Sequence, residues 1–277
     1  MPELAVTSPT IAEAIALGRE RLAVAGGETP RLDAELLLAR ALGHDARARL
    51  VLDANEELAE NLADYERLLV RRERREPVAY ILGHKWFGGI CLDVDARVLI
   101  PRPETELLVE VALSLPAGAR VADVGTGSGA VALALKLERP DLLVTGVESS
   151  EQALEVARRN RHRLGAEVDF VRADLLDGHE YDAVVANLPY VAAEAQLPPE
   201  IALFEPPEAL YAGGDGLDTL RRLTARLGAC PTVRFVALEV GLGQAQTVSA
   251  LLRDAAFTAI ETRRDLAGHE RVVVGRR

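Results

Sequence analysis

From about residue 119 onward the chain alternates short strand-like runs with helical stretches, and this alternation restricts the fold more than any other feature. Val121–Val124, Leu142–Val147, Val168–Val171, Ala183–Ala186, Val233–Val240, Thr258–Glu261 and Val272–Val274 are predicted as strands. Strand and helix in turn point to a mostly parallel α/β sheet covered on both faces. In such sheets a ligand binds beyond the carboxyl ends of the strands. The residues that follow each strand therefore carry the functional information.

The first part of the chain reads differently. Thr10 and Glu13 have capping-box spacing, and Gly26-Gly27 closes the helix they open. Thr29-Pro30 opens a second helix that Gly43 ends. Leu58, Leu62, Tyr65 and Leu69 recur at helical steps, which predicts one helix from Asn55 to Glu76, stopped by Pro77. Around residues 83–100 the period changes, and Gly83, Gly88 and Gly89 punctuate a predicted hairpin. The expected domains are a helical bundle over residues 1–80, a β-hairpin linker over 81–100 and the α/β domain over 101–277.

With 277 residues, 49% hydrophobic and 27% charged, the chain has the composition of an ordinary globular protein and material for two domains. No signal peptide and no membrane span are expected, so a cytoplasmic location is. Cys91 and Cys230 lie far apart, outside any metal-ligand spacing, and no metal site is expected. A net charge of −11 argues against stable nucleic-acid binding, because phosphate neutralisation needs cations. The arginines at 71, 72, 74 and 75 are interleaved with Glu73 and Glu76 and read as a solvated helix face.

After the first α/β strand comes Asp123-Val124-Gly125-Thr126-Gly127-Ser128-Gly129-Ala130. Alternate glycines let the backbone approach a ligand, and the following helix aims its free N–H groups at it. Glu148 ends the second strand, where a carboxylate can accept the hydroxyls of a ribose. An adenosine-containing cofactor is implied. The same spacing also satisfies the dinucleotide fingerprint, so a nicotinamide enzyme remains open at this point.

The fourth strand ends in Asn187-Leu188-Pro189-Tyr190, which resembles the Asn-Pro-Pro-Tyr signature of methyltransferases acting on planar nitrogens. A planar nitrogen has a delocalised lone pair and is a poor nucleophile. The Asn187 side-chain oxygen and the main-chain carbonyl of Leu188 can accept its hydrogens, while Tyr190 packs on its plane. Catalysis would then be positioning and electrostatics. Leucine stands where proline is usual, but a carbonyl is supplied either way, and Pro189 keeps Leu188 extended.

Further strings narrow the resemblance: Asp33 to Leu38, Glu76 to Gly83, Pro101-Arg102-Pro103-Glu104-Thr105-Glu106, Phe204-Glu205-Pro206, Gly213 to Gly216, Glu239-Val240-Gly241 with Gln244, and Asp265 to Arg271. Together they resemble, over nearly the whole chain, the bacterial peptide chain release factor N5-glutamine methyltransferase (HemK/PrmC) family. The resemblance implies a Rossmann-like class I methyltransferase sheet using S-adenosylmethionine. It implies methylation of the glutamine in the Gly-Gly-Gln motif of class 1 release factors; separately, a monomer is expected. It places cofactor contacts on Asp123, Gly125, Thr126, Gly127, Ser128, Gly129, Glu148, Asp174, Leu175 and Asn187, and substrate contacts on Asn187 to Tyr190. A ribosomal-protein glutamine, or an adenine in DNA, is the alternative target. Asp33 and Glu35 are expected to be inter-helix or surface partners, Trp86 a packing anchor, and Arg102 and Glu104 either pins for the linker or site residues.

Overall fold

The structure, a computed structural model, describes residues 8–43, 47–58, 60–176 and 178–277. The expected helical region begins at residue 1, so its first seven positions lie outside the described residues, as does position 59 within the helix expected from Asn55. The chain forms two units, one of residues 1–83 with 198–204, the other of 84–197 with 205–277.

The first unit is helical: α1 (Ile11–Val24), α2 (Pro30–Ala41), α3 (Ala48–Leu52), α4 (Leu62–Glu73) and α5 (Val78–Leu82). Thr10 and Glu13 make the reciprocal capping box that starts α1, and Pro30 occupies the first turn of α2. Leu22, Leu37, Leu38, Tyr65 and Leu69 meet in its core.

Two expectations need correction here. The helix expected from Asn55 begins at Leu62. Leu58 is buried as the periodicity required, but its N–H donates to the Pro9 carbonyl at 2.9 Å, and Glu57 bridges Thr10. Extended pairing with the start of the chain wins over helix there. The arginine run is a solvated face only at Arg71 and Arg74. Arg72 is 7% exposed and pairs with Asp33 at 2.8 Å and with Glu200 at 3.1 Å. Arg75 donates to Glu200 and to the Ala25 carbonyl.

The second unit opens with a hairpin of β1 (His84–Phe87) and β2 (Ile90–Asp93). Asn160 secures it, accepting from the Asp93 N–H and donating to the Asp93 carbonyl. Phe87 and Leu92 face the core, so Trp86, one position out of phase, points outward and is 64% exposed. It is not the packing anchor that its size suggested.

After α6 (Glu106–Ala112), the elements alternate: β3 (Arg120–Val124), α7 (Ala130–Glu138), β4 (Leu143–Glu148), α8 (Glu151–Leu164), β5 (Asp169–Arg172) and β6 (Ala183–Ala186). A short helix α9 (Pro199–Ala202) falls in the stretch grouped with the first unit. Then come α10 (Asp218–Gly228), β7 (Phe235–Glu239), α11 (Ala245–Asp254), β8 (Ala259–Arg264) and β9 (Glu270–Arg276).

All seven expected strands are present, in the order β5-β4-β3-β6-β7-β9-β8. The first five are parallel, and β9 runs antiparallel to β7 and β8. Alternate residues serve opposite faces: Ala183 and Val185 join one core cluster, Val184 and Ala186 the other. The strand order reverses direction between β3 and β6. Such a switch point leaves a crevice at the carboxyl ends of the two strands.

Candidate active site

The crevice holds the loops singled out by the sequence. A cavity of about 210 Å³ is lined by Gly125, Gly127, Glu148, Asp174, Leu175, Asn187, Leu188 and Pro189, with Arg97, Leu99, Thr219 and Arg222 among the remaining wall. A smaller one of about 50 Å³ shares Leu99, Gly125, Gly127 and Asn187, and adds Pro101, Thr105, Asp123, Thr126 and Ser128.

The glycine loop is ordered from beneath. Asp123 is fully buried, and its Oδ2 accepts from Thr126 Oγ1 at 2.6 Å and from the Ala132 N–H at 3.0 Å. Loss of water pushes its carboxyl up to about 6, against the pull of those two donors. From this position Asp123 shapes the loop and the start of α7. Gly125, at φ 75°, lies where a Cβ would sit 2.8 Å from Leu188 Cδ2. Glycine is required for the β3 loop to meet the β6 loop. The same contact explains what Leu188 does in place of proline: its side chain is buried, 4% exposed, as part of the core beneath the cavity.

Glu148 is half-buried on the cavity wall. Its Oε1 accepts from the N–H groups of Ser149 and Ser150 at 2.8 and 3.0 Å, and its Oε2 from Gly127 N–H at 3.1 Å. A carboxylate offers about four acceptor directions. The pinned Glu148 thus keeps acceptor capacity toward the cavity, which suits the hydroxyls of a ribose. Leu175, at φ 65° and 6% exposed, adds an apolar wall, while Asp174 pairs with Arg222 and Arg226.

The loop after β6 is held on three sides. Asn187 Nδ2 donates to Thr105 Oγ1 at 3.0 Å. Gln244 Nε2 donates to the Tyr190 carbonyl at 3.0 Å while Gln244 Oε1 accepts from the Gly241 N–H at 2.8 Å. Val191 pairs with residues 210–212, and a Cβ on Gly216 would fall 2.2 Å from the Tyr190 carbonyl oxygen, so that strap must pass as glycine. Tyr190 Oη lies 3.4 Å from Glu239 Oε1. Burial, then the Glu239 charge, pushes the phenol up to about 12.

Other residues in the quoted strings serve structure. Arg102 pairs with buried Glu205, whose Oε2 accepts the Ile100 N–H at 3.0 Å, so Arg102 pins the segment entering the domain. Asp33 is the inter-helix partner of Arg72. Thr105, Glu239 and Gln244 lay within those strings without any assigned role, and no local pattern distinguishes them. Only the meeting of three strand ends does.

This geometry can be set beside known proteins. The family model for the PrmC N-terminal domain matches residues 13–83, and that for the methyltransferase small domain matches 103–214. The release factor glutamine methyltransferase of Rhodospirillum rubrum is 40% identical over 269 residues, covering 94% of this chain and 83% of that protein. The chain belongs to the release factor glutamine methyltransferase family. The member from Caulobacter vibrioides is likewise 40% identical, over 281 residues and 96% of both chains. Among solved structures, a methyltransferase from Pyrococcus furiosus matches with TM-score 0.52 at 15% identity, over 67% of this chain and 87% of that one. The T. thermophilus 16S rRNA N2 G1207 methyltransferase matches with TM-score 0.51 at 18% identity, over 70% and 49%. These two share the fold. As a member of its family the chain is an S-adenosylmethionine-dependent methyltransferase, which removes the nicotinamide alternative.

Among the described residues no cluster of His, Cys, Asp and Glu could hold a metal ion, and no helix is long and apolar enough to cross a membrane.

Proposed function

We propose that this protein transfers a methyl group from S-adenosylmethionine to the side-chain amide nitrogen of the glutamine in the Gly-Gly-Gln motif of class 1 peptide chain release factors. The observation that carries the reading is the Asn187 amide, anchored through its nitrogen to Thr105 at the edge of the cavity that Glu148 and the glycine loop line.

The cofactor supplies an electrophilic methyl group on a sulfonium. Gly125 to Gly129 and Glu148 would hold it at the switch point, Asp174 and Leu175 would wall its adenine, and Asp123 orders the loop from beneath. Asn187 Oδ1 and the Leu188 carbonyl accept the two hydrogens of the target amide, and Pro189 and Tyr190 wall its plane. Held this way, the amide nitrogen needs no covalent activation. Orientation lowers the barrier by removing the search for a reactive geometry.

We assign recognition of the protein substrate to the helical domain, residues 1–80, with 81–100 as connection and 101–277 as the methyltransferase domain. The protein acts as a monomer in the cytoplasm, where release factors work. A net charge of −11 supports a protein target over DNA. The test is transfer of labelled methyl to purified release factors, ribosomal proteins and duplex DNA side by side. Label confined to release factors is expected; label on a ribosomal protein or on DNA instead overturns the reading.

A further inference from the structure

Two family strings, Pro101 to Glu106 and Glu239 to Gly241, supply no atom that touches the target in the function above, yet Thr105 of the first bonds Asn187 and Glu239 of the second bonds Tyr190. Thr105 is buried at the end of a 3-10 turn, Pro103–Thr105. Its Oγ1 accepts from Asn187 Nδ2 at 3.0 Å. A hydroxyl has one hydrogen, and one that accepts from an amide keeps that hydrogen for another acceptor. The acceptor at hand is Glu239, at the end of β7, whose Oε1 accepts from Tyr190 Oη at 3.4 Å and whose charged form the Thr105 hydroxyl favours. Glu239 is 1% exposed, and its Oε2 has no hydrogen-bond partner. A carboxylate so deeply withdrawn from water is costly unless its oxygens are hydrogen-bonded, so the orphaned Oε2 calls for an explanation.

We propose that Glu239, acting through Thr105, is a positioning residue that fixes the Asn187 amide with its nitrogen toward Thr105 and its oxygen toward the target amide. The two ends of an asparagine amide have nearly the same shape, so packing alone does not choose between them. Hydrogen-bond polarity does. Ionised Glu239 can only accept, so Thr105 must donate to it and must accept from Asn187. Only the nitrogen end of Asn187 can meet that requirement. A turned amide would present N–H groups to the N–H groups of the target, two donors face to face. Protonated Glu239 can donate to Thr105 instead, which frees the Thr105 hydrogen for Asn187 Oδ1 and removes the bias.

The inference rests on the proposed function and adds a pH dependence to it. Burial pushes Glu239 up to about 7, opposed by the Thr105 and Tyr190 hydroxyls. Glu104 on the same turn raises it further, and Arg271 on β9, itself paired with Asp265, lowers it. Arg102 faces the Tyr190 side of the network. Methyl transfer should therefore rise with pH through about 7 and then level.

The test uses the full-length protein with a release factor, in single turnovers across pH. Thr105→Val keeps the shape and removes the relay; it should slow transfer about 10- to 100-fold, as loss of an orienting outer partner does. KM should change little, and Thr105→Ser should recover most of the rate. Glu239→Gln should slow transfer and flatten its pH profile. A second readout needs no catalysis: the Asn187 side-chain amide protons, identified by NMR from their loss in Asn187→Ala. In wild type and Thr105→Ser they should shift with pH through about 7; in Thr105→Val and Glu239→Gln they should not. Wild-type rates in Thr105→Val, or amide signals indifferent to pH in wild type, would overturn the relay. Should Glu239→Gln fail to fold, the two Thr105 variants still decide. A wild type that methylates no release factor would defeat the proposed function alone, because the amide titration reads the relay independently.

Discussion

Asp123 and Glu239 are carboxylates whose charged forms the fold disfavours, and most other shifted carboxylates here are the opposite. Asp95 and Asp215, beside Arg97 and Arg221, are held down to about 2. Their contribution to stability is present above the unfolded carboxylate value and is lost as pH falls toward 2. Asp123 and Glu239 are raised, to about 6 and about 7, so folding binds their protons more tightly. Their contribution is fully present below the unfolded values, 3.8 and 4.5, and disappears as pH rises through 6 and 7. Stability should climb from strongly acidic pH to a maximum between about 4 and 5 and then decline toward 7. Glu239→Gln should remove the later part of that decline. Thermal melts of both proteins across pH check this, and parallel curves for the two would contradict the assignment.

At the scale of elements, the α2–α4 packing carries a buried charge. Arg72 joins Asp33 of α2 and Glu200 of α9, with the Arg72 and Asp33 side chains 8% and 6% exposed. Removing Arg72 leaves Asp33 buried without its cation, while Glu200 keeps Arg75, so Arg72→Ala should cost the helical unit about 3–5 kcal/mol. Arg72→Leu with Asp33→Leu should cost much less, since the pair leaves together. Denaturant unfolding of both variants tests it, and equal losses would refute it. The same elements show what was legible in the chain. The seven strands could be read because β-branched runs with polar breaks are local signals, and the boundaries of β3 to β9 lie within a few residues of expectation. The glycine loop, Glu148 and Asn187 were legible because each lies at the end of a strand or directly after it. The start of α4 was not, because Leu58 is buried by extended pairing with Pro9, a tertiary contact that mimics helical spacing. Trp86 misled for a related reason: size suggested burial, while strand phase turned it outward. Thr105 lies 82 positions from Asn187, so nothing near either residue announces the bond between them.

At the scale of the whole molecule, the division of labour is testable because every residue lining the two crevice cavities belongs to the second unit. A fragment of residues 84–277 should bind S-adenosylmethionine with an affinity near that of the full chain and methylate release factors poorly. Calorimetry and turnover on the same preparation separate the two properties. Full turnover by the fragment would mean that the helices do not recognise the substrate. The site itself is tested most directly by locating the methyl group. A release factor incubated with the full-length protein and S-adenosylmethionine is digested and fragmented in a mass spectrometer. One methyl is predicted on the side-chain amide of the Gly-Gly-Gln glutamine. With Asn187→Ala the rate of its appearance should fall about 10²–10³-fold, as when one preorganised hydrogen-bonding group is lost. A methyl on any other residue, or an undiminished rate in Asn187→Ala, would contradict the assignment of Asn187 as the group that holds the target amide.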